Sequence, residues 1–403
     1  MRLLFCVQRY GMEVFGGAEM FARQLATRLA ARGHQVEVVT TCAIDYRNWD
    51  NAYPPGEEVL DGVLLHRLPV TRSRDPRQFG SIHPRVFSGP GWPATLVQEE
   101  WMRIQGPFVA GLPSWMRRHS PDFDAAVFVT YLYWTTWAGL RNCLCPSVLH
   151  PTAHDEPPSY VPLFDEMYRL PTAFGFLTPE EEEFVTRRYR VVRPSFISGI
   201  GIDPAGPGDS AAFRARFGLG DDPYIAYVGR TDPGKGSPEL LEYFRLFKER
   251  HPGPLKLVFV GEVVYPMPAH PDVVYTGFVD EATRTAGIAG AALLAQPSYF
   301  ESFSLVLAEA WAQGVPALVQ GQSPVLLGQA RRSGGALPYT GFAEFEAGLE
   351  FLMADPDLRR RMGVAGRDYV LTHYPWDRIL ERYEAFLAAI SSTKSRSLSA
   401  TAT

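Results

Sequence analysis

The sequence predicts an α/β protein built from two doubly wound, parallel-sheet domains. Two observations carry this. The chain has 403 residues, 46% of them hydrophobic, which is too long for one ordinary core and suits two. Each half also opens on a strand–helix–strand pattern, which forces a parallel sheet because the crossover returns the chain to the same end.

The first opening runs through Leu3–Val7, a short apolar strand. Apolar groups then recur at helical spacing, at Ala18, Phe21 or Ala22, Leu25 and Leu29. Gly33 ends that helix, and Val36, Val38 and Val39 make the next strand. Residues 43–118 show no clear period and are rich in Pro, Gly, Arg and Trp, with Trp92, Trp101 and Trp115 among them. Order returns at Ala125–Thr130. Another strand ends near Pro151. Thr178-Pro179-Glu180-Glu181 reads as a capping box that starts a helix. Phe196–Ile202 closes the first half.

The second series begins at Tyr224–Val228. Further strands are expected near Lys256–Val260, Val273–Thr276, Ala292–Ala295 and Ala317–Val319. A long amphipathic helix spans about Trp376–Ile390. The expected division is 1–203, a linker at 204–222, 223–375, a helix at 376–390 packing back toward the first domain, and a disordered tail at 391–403. In such sheets ligands bind beyond the carboxyl ends of the strands, so a cleft where two such domains face each other is the natural site.

Charge and cysteine usage exclude several classes. The net charge is -5, without the basic balance of a nucleic-acid binder. Cys6 and Cys42 lie in apolar runs, and Cys143-x-Cys145 lacks a second pair at zinc spacing, so reduced structural thiols are expected. Asp122-Phe123-Asp124 and Asp355-Pro356-Asp357 read as turn residues, and no metal is expected. The apolar start is too short for a signal peptide. No apolar run is long enough to span a membrane. A cytoplasmic protein is expected, with peripheral contact at the inner face of the membrane left open.

Four constellations carry chemistry. In the first, Glu301 follows a strand and Glu309 lies in the second turn of the next helix. Between them the amides of Phe303, Ser304 and Leu305 form a helix start suited to a diphosphate. In the second, Val228-Gly229-Arg230-Thr231-Asp232-Pro233-Gly234-Lys235-Gly236 sets two cations at a strand's carboxyl end. A departing diphosphate needs that neutralisation. Gly16-Gly17 opens the first helix and admits a ligand to its amides. The fourth is His154-Asp155, after the Leu149–Pro151 strand end.

These segments resemble glycosyltransferase family 4 (glycosyl transferases group 1), retaining enzymes of the GT-B fold. Glu301 and Glu309 match its E-x7-E motif, and Gly314-Val315-Pro316 the G-x-P that follows. Arg230 and Lys235 match its G-R-x-x-x-x-K-G segment. Gly16-Gly17 matches its glycine-rich first loop, and His154 its sugar-edge histidine. The likeness extends over most of the chain: the second half matches well, the first half only at its ends, and residues 43–150 are poorly covered. One departure is Ser304, where the family usually has Gly, and a side chain there would either crowd the phosphate or alter donor choice.

The resemblance implies Glu301, Arg230, Lys235 and His154 as catalytic residues. It implies Gly16, Gly17, Phe303, Ser304, Leu305 and Glu309 as donor ligands. No cofactor is implied beyond the nucleotide-sugar substrate, UDP- or GDP-linked. The acceptor implied is a sugar, glycolipid or polysaccharide precursor. The alternatives are a GT-B phosphorylase or epimerase and a non-catalytic sugar-nucleotide-binding partner. Tyr131, Tyr133 and Trp134 are divided between acceptor contact and packing. The Arg-rich stretch Arg67, Arg72, Arg74, Arg77 and Arg85 is read as a solvated loop.

Overall fold

The computed structural model describes residues 1–89, 91–203, 206 and 208–400, the last nine of them for their backbone only. The chain forms two units. The first is Met1–Gly199 together with Ile379–Thr403, and the second is Ile200–Arg378.

The first unit holds an eight-stranded sheet ordered β3-β4-β2-β1-β5-β6-β7-β8. Its strands are β1 (Arg2–Cys6), β2 (Gln35–Thr41), β3 (Gly56–Leu60), β4 (Val63–Leu68), β5 (Ala125–Val129), β6 (Ser147–His150), β7 (Ala173–Phe176) and β8 (Ser195–Ile197). Leu3 to Cys6 and all of β5 are buried, as expected of parallel strands covered on both faces. The Gly17–Ala31 helix packs Phe21, Ala22, Leu25 and Leu29 inward. Residues 43–118, without period in the sequence, contribute the β3–β4 hairpin and three helices, Pro76–Phe87, Thr95–Gln105 and Leu112–His119. The hairpin makes β3 antiparallel to its neighbour, so one edge departs from the parallel pattern.

The second unit holds a six-stranded parallel sheet ordered β11-β10-β9-β12-β13-β14. Its strands are β9 (Tyr224–Val228), β10 (Lys256–Val260), β11 (Val273–Tyr275), β12 (Leu293–Gln296), β13 (Ala317–Gln320) and β14 (Ala336–Tyr339). The last was not anticipated. Proline and a half-exposed pattern in Ala336–Tyr339 suit an edge strand.

Within the expected linker, residues 204, 205 and 207 lie outside the described residues, and its short helical piece is Ser210–Arg216, capped by Asp209. Two segment boundaries differ from expectation. The first unit ends at Gly199, and β8 stops at Ile197. The tail expected to be disordered from Ser391 continues as helix to Ala400, with 401–403 outside the described residues. No Gly or Pro interrupts that stretch, and Ser391 Oγ bonds the Leu387 carbonyl at 2.8 Å, one turn back.

The Trp376–Ala400 helix joins the first unit from Ile379 onward. Tyr383 OH lies 2.8 Å from His150 Nε2, and Glu384 meets Arg32 and His34, each at 3.0 Å. Phe386 packs on Phe196 with ring centroids 4.2 Å apart.

Candidate functional site

In the second unit three loops meet beyond the carboxyl ends of β9, β10 and β12. Thr231 N bonds the Glu262 carbonyl at 2.9 Å. Two glycines permit the approach. A Cβ at Gly261 (φ 145°) would stand 2.3 Å from the Gly229 carbonyl, and one at Gly236 (φ 71°) 2.4 Å from the Pro297 carbonyl. The backbone there leaves no room for a side chain.

Lys235 Nζ sits 2.9 Å from Glu301 Oε1. The same oxygen accepts from Gln296 Nε2 at 3.1 Å, and that nitrogen also bonds Ser304 Oγ at 3.0 Å. Gln296 ends β12 and is buried. It therefore ties the sugar-binding candidate to the start of the Leu305–Ala312 helix.

That helix start has an unusual residue. Ser304 is its N-cap in a left-handed conformation, φ 67° and ψ 75°, and makes no side-chain cap bond. Glycine adopts this conformation freely, whereas serine pays about 1–2 kcal/mol. The hydroxyl is engaged by Gln296 and not by the helix amides. The amides of Leu305 and Val306, in the first turn, lack intrahelical carbonyls by geometry, which is the arrangement that receives anions. Phe303 is buried against Tyr374, ring centroids 5.0 Å apart, and supports the turn from below.

Glu309 Oε1 accepts from Arg284 NH2 at 3.0 Å. Its Oε2 is buried with no hydrogen-bond partner among the described residues. Burial raises the Glu309 pKa, and the Arg284 guanidinium opposes that. One carboxylate oxygen is thus anchored and the other keeps unused hydrogen-bonding capacity among the described residues. Arg230 is exposed, and its Nε bonds Asp232 Oδ2 at 3.0 Å. Its carbonyl accepts from Tyr227 OH at 2.8 Å. Burial pushes the Tyr227 phenol well up, and the Glu301 and Asp232 charges add to this.

In the first unit Gly16 caps the Gly17–Ala31 helix. A Cβ there would lie 2.3 Å from Glu19 Oε2, while Gly17 has open space. Glu19 is buried and held by Arg9 and Gln8 at 2.9 Å each, so its role is structural. His154 Nδ1 lies 3.3 Å from Glu156 Oε1, and Asp155 accepts from Tyr160 OH at 2.7 Å. Tyr131 and Trp134 are buried and pack in the core; Tyr131 OH bonds Glu156 at 2.8 Å. Tyr133 is half-buried, edge-on to Trp49. The Arg-rich stretch is not uniformly solvated. Arg67 is buried on Glu58 and the Tyr10 carbonyl, because an inward β4 position needs its charge paired. Arg74 lies over the Trp49 and Phe79 rings. Arg77 and Arg85 are exposed. Trp101 is buried and Trp92 exposed.

The structure brings Lys235 and Glu301 into contact and gives each of the other two candidates, Glu309 and Arg230, a separate partner. Arg284 and Gln296 were not anticipated. Neither belongs to a recognisable motif, and only the requirement that a buried acid be paired points to a cation such as Arg284. Among the described residues no three His, Cys, Asp or Glu side chains gather as metal ligands would, and no helix is long and apolar enough to cross a membrane.

Two parallel-sheet units, with paired acids and bases on the loops of the second, define a glycosyltransferase of the GT-B fold. The model of the family "Glycosyl transferases group 1" matches residues 209–369. A D-inositol 3-phosphate glycosyltransferase of Mycobacteroides abscessus is 37% identical over 78% of this chain and 72% of its own. One of Saccharomonospora viridis is 24% identical over 96% and 93%. Among solved structures, sucrose-phosphate synthase from Thermosynechococcus elongatus superposes with a TM-score of 0.72 at 18% identity, covering 98% of this chain and 100% of that one. The Anabaena protein HepE in complex with UDP and glucose gives 0.66 at 14%, covering 99% and 100%. The chain belongs to the glycosyl transferases group 1 family.

Proposed function

We propose that the protein transfers a sugar from a UDP- or GDP-linked donor to an acceptor hydroxyl, with retention of configuration and without a metal ion. The observation that carries this is the Lys235–Glu301 contact at the start of the Leu305–Ala312 helix. It sets a cation, a carboxylate and free helix amides together, as a sugar diphosphate requires. Lys235, Arg230 and the helix amides neutralise the departing diphosphate in place of a metal. Glu301 receives sugar hydroxyls, and Glu309 Oε2 receives a ribose hydroxyl. The acceptor attacks on the face the diphosphate leaves, and the leaving phosphate takes the proton. For Gly16, Gly17 and His154 the role toward the donor rests on the family resemblance. That resemblance also supports a cytoplasmic enzyme acting on a polysaccharide or glycolipid precursor. The names of the relatives favour a second acceptor, an inositol phosphate.

The test is to incubate the purified chain with UDP-glucose or GDP-mannose and each acceptor class, with and without EDTA, and to read the anomeric configuration of the product by NMR. A retained linkage formed at equal rate in EDTA supports the proposal. Inversion, or loss of activity on chelation, defeats it.

A further inference from the structure

Glu181 was read in the sequence only as the third residue of a helix start. It is buried, and Thr178 Oγ1 accepts from its amide at 3.3 Å as an N-cap should. Its carboxylate reaches past the cap. Oε1 accepts from Ala153 N at 2.8 Å and Oε2 from Leu177 N at 2.7 Å. A buried carboxylate is costly, and burial pushes this one up to about 8 against the pull of the backbone amides that face it. Helix capping alone does not need it, since the Thr178 hydroxyl already serves.

The segment it grips is strained. Thr152 has φ 50° and Thr130 has φ 71°. Both are β-branched, and such residues rarely enter the left-handed region. They follow the ends of the neighbouring strands β6 and β5, and Thr152 Oγ1 donates to Thr130 Oγ1 at 3.1 Å. Thr136 Oγ1 donates to the Thr130 carbonyl at 2.6 Å. Strain of this kind persists only where the surroundings over-determine it. Here the turn at Thr152 sets the direction in which the chain leaves β6, and two residues later comes His154.

We infer that Glu181 is a positioning residue for His154, holding the strained Thr152–Ala153 turn through the Ala153 amide so that the histidine is presented in one orientation. The inference rests on the role proposed above for His154. A rotated or loosened turn would leave His154 present but misplaced, and small misplacements at a reacting centre cost rate more than affinity.

The experiment compares Glu181→Gln, Glu181→Asp, His154→Ala and the double variant Glu181→Gln/His154→Ala, using UDP-glucose or GDP-mannose, whichever the donor assay selects. Gln keeps the shape but sets an NH2 group against one of the amides. Asp keeps the charge but falls one methylene short. Glu181→Gln is expected to lower kcat by about tenfold to a hundredfold while KM for the donor is unchanged. The double variant should be no slower than His154→Ala alone. Losses that multiply in the double variant overturn the inference. Amide hydrogen exchange on the same proteins reads the turn directly. Faster exchange at Ala153 and Leu177 in Glu181→Gln and Glu181→Asp, with the β1 and β5 amides still protected, supports the inference, whereas unchanged exchange at both overturns it. Full turnover in His154→Ala with the Ala153 amide released would instead remove the reading of His154, and with it the catalytic half of this inference.

Discussion

Lys235 and Glu301 lie 2.9 Å apart, 66 positions distant in the chain, and each is the other's counter-ion before any substrate arrives. Under the function proposed above, a sugar diphosphate entering here would redistribute an existing pair, the ammonium turning toward phosphate and the carboxylate toward sugar hydroxyls. Neither charge has to be brought in from bulk water, so the reorganisation is small. Lys235→Ala and Glu301→Ala are each expected to lower kcat/KM by about a hundredfold or more. The double variant should fall short of the product of the two, since either single change already breaks the pair. Steady-state kinetics on the four proteins checks this.

Arg284 is expected to set the pH range of donor binding. It opposes the upward push that burial gives Glu309. In Arg284→Met the Glu309 pKa should rise further, so the carboxylate is protonated at a higher pH than in the wild type. Donor affinity should then weaken on acidification sooner in the variant, and match more closely at alkaline pH. Isothermal titration with UDP across pH 6–9 would show it. Parallel profiles would separate Arg284 from Glu309.

Ser304 offers a prediction of order. Its left-handed backbone favours glycine, while its hydroxyl satisfies Gln296 at 3.0 Å. Ser304→Gly relieves about 1–2 kcal/mol of strain and loses a hydrogen bond of about 1 kcal/mol. Its stability should stay near wild type. Ser304→Ala keeps the strain and loses the bond, so it should be the least stable of the three. Chemical denaturation midpoints give the order directly.

His150 should make the first unit acid-sensitive. Burial pushes its pKa down to about 3, and its Nε2 pairs with Tyr383 OH. The unfolded chain binds the proton near pH 6.5 and the folded chain does not. Stability from this group is therefore present above about 6.5 and is lost as pH falls toward 3, by at most about 1.4 kcal/mol per pH unit. In His150→Leu that slope disappears, so the gap in melting temperature between wild type and variant should narrow on acidification.

The parallel strands β1, β2, β5, β9, β10, β12 and β13 were legible because apolar runs bounded by Gly, Pro and polar turns leave few alternatives. The β3–β4 hairpin and the helices of 76–119 were not, because Trp101 and Arg67 are buried there by tertiary pairing that no local period announces. At the site, Glu301, Glu309, Arg230 and Lys235 stood out by spacing and by resemblance. Gln296 and Arg284 did not, since each acquires meaning only from the acid that folding brings beside it. Tyr131 and Trp134 illustrate the reverse: aromatic residues at a strand end looked available for a ligand and are consumed by the core.

The first unit is not contiguous. Its sheet packs against Tyr383 and Phe386, side chains that come after the whole second unit in chain order. While the chain emerges from the ribosome, the flank of that sheet around His150 and Phe196 must wait uncovered until the whole second unit has been made. Nascent chains halted before Ile379 should accordingly be dependent on chaperones, and a truncation before Ile379 would damage the half that was translated first.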